Sequence, residues 1–198
     1  VFEENKISNT KKKFENFSFI NEVFQRCYLD DKNITTYFSQ LVNLENDADY
    51  TRYIFFYLNY LIENDKYQEA KIITDDLDYL SSSLLISQGK KWIEDQKFQE
   101  FKKIFLCSNA TDIVSEFFFL VSNLYSSQEN YEKSNFYLNV SHYLNPKFKF
   151  NLSLLAENHY LNKDYKKTSK ILESFNKKDE FYHWFRLKKK AQIISRKQ

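Results

Sequence analysis

The sequence predicts an all-α fold assembled from tandem helical hairpins, and three observations lead there. Gly and Pro occur once each in 198 residues, whereas a β-rich chain of that length needs many turns that lean on both. Four segments share one plan of polar turn, aromatic, then charges: Asp65-Lys66-Tyr67-Gln68, Asp95-Gln96-Lys97-Phe98, Glu129-Asn130-Tyr131-Glu132 and Lys163-Asp164-Tyr165-Lys166. Their aromatics follow one another at intervals of 31, 33 and 34. Apolar residues recur at helical spacing on both sides of each aromatic, as Phe118, Val121, Leu124 and Tyr125 do before Tyr131, and Leu138 and Leu144 after it.

Taken in order, residues 1–13 are polar and are expected to be disordered or frayed. Residues 14–50 are read as a degenerate N-terminal hairpin. Phe24, Tyr28, Ile34, Tyr37, Leu41 and Leu44 there keep a rough register 33 positions ahead of the next unit. Four clearer units span 51–81, 82–114, 115–148 and 149–180. Each is helix, tight turn, helix, and one amphipathic hairpin of that size cannot bury both faces alone, so stacking completes the core. Residues 181–198 are expected to form a capping helix. Trp184, Leu187, Ala191 and Ile194 make an apolar stripe expected to face the last unit, with Lys188, Lys189, Arg196 and Lys197 toward water.

The residues at matching places in these units resemble the tetratricopeptide repeat (TPR) family. With the hairpin aromatic at position 17 of a unit, Leu58, Gly89, Ser122 and Ala156 fall at position 8, and Ala70, Phe101, Ser134 and Thr168 at position 20. The only Gly sits where a small residue lets the two helices approach. The only Pro, Pro146, sits at position 32 between units, where a helix must stop. The units are degenerate: position 20, small in the family, holds Phe101 in the second. The resemblance covers residues 51–180 and implies a right-handed superhelical solenoid of antiparallel helix pairs.

Composition narrows the function classes. The net charge is +2, from 29 basic and 27 acidic residues, so no strong field points to nucleic acid. The apolar run Tyr53–Leu58 is far shorter than the roughly 20 residues needed to cross a bilayer. Met is absent even at position 1, so a processed product is expected. No leader is visible, and a cytoplasmic location is weighed slightly ahead of a periplasmic one. Cys27 and Cys107, 80 positions apart, are read as two buried free thiols in preference to a disulfide. The Asn-x-Ser/Thr sequons at Asn16, Asn33, Asn109, Asn139 and Asn151 are read as chance.

Chemistry-bearing patterns are missing. His142, His159 and His183 share no ligand spacing with Cys, Asp or Glu, and His159 reads as a packed core histidine. One Gly permits neither a phosphate loop nor a nucleophile elbow. The carboxylates of Asp75-Asp76-Leu77-Asp78 and the ammonium groups of Lys188-Lys189-Lys190 read as solvated faces. No catalytic residue, cofactor or metal is expected.

The resemblance implies that the first helix of each unit lines a concave groove holding a peptide or another protein. Carried over by position, the candidate lining is Arg52, Phe55 and Asn59 from the first unit, Lys90 and Glu94 from the second, Glu116, Phe119 and Asn123 from the third, and Glu157 and Tyr160 from the fourth. Carboxylate-holding, chaperone-binding TPRs need basic residues where Phe55 and Glu116 stand, so that subtype is set aside. The expected role is a scaffold or adaptor, as a monomer or weak homo-oligomer. The alternatives are the scaffold part of a larger enzyme or transport assembly, or a self-associating structural protein using Phe117-Phe118-Phe119 or Phe181-Tyr182.

Overall fold

The computed structural model describes residues 2–43, 51–77, 83–175 and 180–196. The described residues form eleven α-helices and no strand. Leu44, Asp78, Ser82 and Lys197, placed by sequence above, lie outside them. Helices α1 (Phe2–Tyr28) and α2 (Ile34–Val42) open the chain. Four further pairs follow: α3 (Thr51–Glu63) with α4 (Tyr67–Asp75), α5 (Leu84–Glu94) with α6 (Phe98–Ile104), α7 (Ala110–Ser126) with α8 (Tyr131–Leu144), and α9 (Phe150–Leu161) with α10 (Tyr165–Leu172). Helix α11 (Glu180–Ser195) ends the described chain. The second helix of each of these four pairs begins at the repeated aromatic.

One backbone device makes all five hairpins. Asp30, Asp65, Gln96, Glu129 and Lys163 have φ between 52° and 60°, the left-handed region. In the first clear unit the Asp65 N–H donates to the Ile62 carbonyl and the Lys66 N–H to the Leu61 carbonyl. The same pair of bonds recurs at 30/31, 96/97, 129/130 and 163/164. This is the Schellman ending, which satisfies two orphan carbonyls of the first helix and reverses the chain. Glycine usually takes the left-handed position, yet five ordinary L-residues hold it here. That is how the chain turns five times with one Gly. Asn130 and Asp164 then cap the next helix, accepting from the Lys133 and Lys167 N–H.

Packing repeats with the turns. Residues 12 apart, Leu58 with Ala70, Gly89 with Phe101, Ser122 with Ser134, and Ala156 with Thr168, are buried in every unit. The large member changes sides: Leu58 faces a small Ala70, while Phe101 requires Gly89. The aromatics that open the second helices are half-buried, not enclosed; Tyr67 and Phe98 stack on each other at 4.4 Å between ring centroids. Two apolar cores result. The first joins α1 through α6 and takes in Leu120 and Phe148; the second joins α7 through α11.

Three expectations are corrected. Residues 2–13, expected to fray, continue the α1 helix, a stretch rich in Glu and Lys without Gly or Pro. Cys27 and Cys107 are not free thiols but form a disulfide, with Cα atoms 5.4 Å apart. The reason is that α6 stops at Ile104, Phe105 turns to extended backbone and enters the first core, and the loop that follows is thereby laid against α1. Helix α11 is turned over. Tyr182, Lys189 and Ile193 are its buried residues, while Trp184, Leu187, Ala191 and Ile194 face out. Aromatic stacking sets that rotation: Phe175 lies parallel to Tyr182 at 5.4 Å and edge-on to Phe185 at 5.7 Å.

Candidate protein-binding surfaces

The ten groove candidates divide by what the fold does with them. Arg52, at the start of α3, reaches residues 64 and 99 positions away. Its Nε donates to Glu116 Oε1 at 2.8 Å, and its Nη2 to Glu116 Oε2 at 2.6 Å and Asn151 Oδ1 at 3.0 Å. Three first helices, α3, α7 and α9, therefore meet at one buried point. Asn151 passes the network on to Ser141 Oγ at 2.7 Å, and Ser115 donates to the Ser141 carbonyl at 2.8 Å.

Aromatic rings close this point off from water. The guanidinium carbon lies 3.6 Å from the Phe119 centroid, with Phe150, Phe148 and Phe56 at 4.9, 5.0 and 5.3 Å. Cation–π attraction is strongest when the charge is desolvated in this way. Burial pushes the Glu116 carboxyl above its ordinary value, and the adjacent Arg52 charge opposes that push. A bidentate ion pair is the geometry in which a buried carboxylate is best compensated.

Three other candidates, from the α3–α4 and α5–α6 hairpins, are also occupied. Phe55 is fully buried, stacked on Phe101 and Phe148 at 5.4 and 5.9 Å. Asn59 donates from Nδ2 to the Phe101 carbonyl at 3.1 Å. Lys90 is buried and donates from Nζ to the Leu77 carbonyl. In the α9–α10 hairpin, Glu157 pairs with Lys189 of α11, whose Nζ also lies 4.4 Å from the Tyr160 centroid. Glu94 and Asn123 alone of the ten are exposed.

An open groove lined by all ten is therefore corrected. Arg52, Phe55, Asn59, Lys90, Glu116, Phe119 and Tyr160 are buried by the chain itself. The physical reason is charge pairing across units. Arg52 and Glu116 occupy the same position of the first and third units and neutralise each other, so their opposite signs answer an internal need. That signal was present in the sequence. Asn151, the third member, was met only as a sequon; buried and donating its Nδ2 inward, it has no room for a glycan.

A run of aromatic rings, exposed in part, lies along α7 and α8. Rings run in contact from Phe17 of α1 to Phe117, Phe118, Tyr137 and Phe136, with successive centroids 5.9, 5.6, 6.0 and 5.3 Å apart. Tyr125 stacks on Tyr137 at 5.6 Å. Phe136 is 63% exposed, and Tyr143, two turns further along α8, 84% exposed. Of the other aromatics named for self-association, Phe119 and Tyr182 are buried and Phe181 is half-buried.

Among the described residues no cluster of three or more His, Cys, Asp or Glu is placed to hold a metal, and no helix is long and apolar enough to cross a membrane. No protein-family model, curated protein or solved structure matches the chain.

Proposed function

We propose that the chain is a protein–protein interaction scaffold. In this reading it is a TPR-like, right-handed array of hairpins whose α7–α8 outer face holds a segment of another protein. The repeated Schellman turns and the buried position pairs support the array. The observation that carries the binding role is the continuous ring ladder from Phe17 to Phe136, left half-covered and exposed at its α8 end. Aromatics supply large contact area at low entropy cost and concentrate at the energetic centres of interfaces. In this reading the seat lies not in the groove expected from the first helices, where Arg52 and its partners are buried, but on the outer face of the α7–α8 hairpin. The Cys27–Cys107 bond favours an oxidising compartment over the cytoplasm.

A photo-crosslinking residue at Tyr143 tests this in extract of the native host. A discrete heteromeric adduct is expected, and Phe117→Ala with Phe136→Ala should abolish it while the thermal midpoint stays put. Adducts unchanged in the double variant would place binding elsewhere. Adducts only with a second copy of the chain, matched by a dimer in light scattering, would establish the self-associating alternative.

A further inference from the structure

We infer that the outward face of α11 is a docking strip for a single amphipathic helix with acidic flanks, a site separate from the α7–α8 face. Trp184, Leu187, Ala191 and Ile194 follow at steps of three, four and three, the a/d spacing of a coiled-coil seam. Trp184, Leu187 and Ile194 are 64, 49 and 63% exposed. At 100° per residue they cover an arc of roughly 80°, narrower than the stripe a globular core or a lipid surface takes up and matched to one helix.

The opposite face is already used. Tyr182 and Ile193 are buried in the second core, and Lys189 is tied to Glu157. Nothing in the packing of α11 therefore calls for apolar residues outside.

Charge decides the occupant. In heptad terms Lys188 flanks the seam on one side, and His183 and Lys190 on the other. Beyond its first turn α11 carries no acidic residue. A second copy docking through α11 would set lysine against lysine in either orientation, which is unfavourable at flanking positions. An incoming helix with Glu at its flanks and Leu or Ile at its seam meets both the apolar strip and the lysines. An anionic membrane would also attract the lysines, but the narrow strip offers only four side chains to insert.

The test uses three probes on the full chain: a synthetic helix with Leu seam and Glu flanks, the same helix with Lys flanks, and vesicles of phosphatidylcholine with 30% phosphatidylserine (by analogy with anionic leaflets). Binding is read by peptide fluorescence anisotropy and vesicle flotation. The acidic helix should bind about tenfold or more tightly than the basic one. Lys188→Glu with Lys190→Glu should invert that preference, and Leu187→Glu should abolish both. These residues are exposed or half-buried, so the circular-dichroism melt should not move. Equal affinity for the two peptides, binding to vesicles alone, a concentration-dependent dimer lost in Leu187→Glu, or no binding at all would each overturn the proposal.

Discussion

Gly89 lies against the ring of Phe101. A Cβ built on Gly89 would stand 3.5 Å from Phe101 Cζ and 3.2 Å from Phe55 Cδ2. Both rings are fully buried, so neither can swing aside cheaply. Gly89→Leu should therefore cost about 3 kcal/mol or more by overpacking. Phe101→Ala should cost a similar amount, roughly 3–5 kcal/mol, by leaving a cavity. The double substitution recreates the Leu58–Ala70 arrangement of the neighbouring unit. A double-mutant cycle in urea should show it more stable than the sum by at least about 1 kcal/mol. Additive losses would mean the two positions do not share one volume.

Arg52→Ala strands a buried carboxylate at Glu116. The expected loss is about 3–5 kcal/mol. Arg52→Met with Glu116→Leu removes both charges and should recover more than half of it. A double variant no better than Arg52→Ala would show that the aromatic enclosure, not the ion pair, holds the three helices together.

The disulfide closes a loop with a sequence separation of 80. Loop-closure entropy then predicts a loss of about 4 kcal/mol in Cys27→Ser, Cys107→Ser or the reduced protein. Mass spectrometry after iodoacetamide should show no alkylation of the native chain and two additions after reduction. Alkylation without reductant would return the two residues to free thiols.

His142 and His159 are both held below their ordinary 6.5, first by burial; at His142 Lys149 adds to the push, while at His159 Asp164 opposes it and Lys167 adds a lesser push downward. Their charged forms are disfavoured in the fold, so the unfolded chain binds more protons between the lowered values and 6.5. Stability should thus be full above 6.5, fall as pH drops through that value, and level off below the folded values. Thermal midpoints at pH 7.5 and pH 5.5 read the effect, and His142→Gln with His159→Gln should shrink the difference. An unchanged difference would assign the pH dependence to other groups.

The left-handed turn residues carry strain that glycine lacks. Gln96→Gly and Glu129→Gly should each stabilise by about 0.5–1 kcal/mol, the relief of a left-handed Cβ less the greater freedom of Gly when unfolded. Ala at the same sites should not stabilise. If Ala matched Gly, backbone strain would not be the cause.

Much of the secondary structure was legible because helix-hairpin signals are local. Tyr67, Phe98, Tyr131 and Tyr165 each begin a helix, since the turn chemistry lies in the few residues just before them. The rotation of α11 was not legible. Trp184, Leu187, Ala191 and Ile194 form the stripe that periodicity marks as a core face. The burial of Lys189 against Glu157 and Tyr160, in which a long stem lets a charged residue face inward, overrides it. The groove was misread for the same kind of reason: position within a unit says which residues turn toward the middle, but not whether other units meet them there.

Stacked-hairpin proteins commonly gain or lose units with little harm, because each unit answers only to its neighbours. Two links in this chain reach further than a neighbour. The bond from Cys27 to Cys107 and the reach of Arg52 to Glu116 and Asn151 both skip over intervening hairpins. Deleting or inserting a unit between them would move one end of each link by a whole hairpin. The number of units between the linked residues is thus fixed by cross-links, and that stretch is expected to diversify by substitution on its outer faces and not by changing its length.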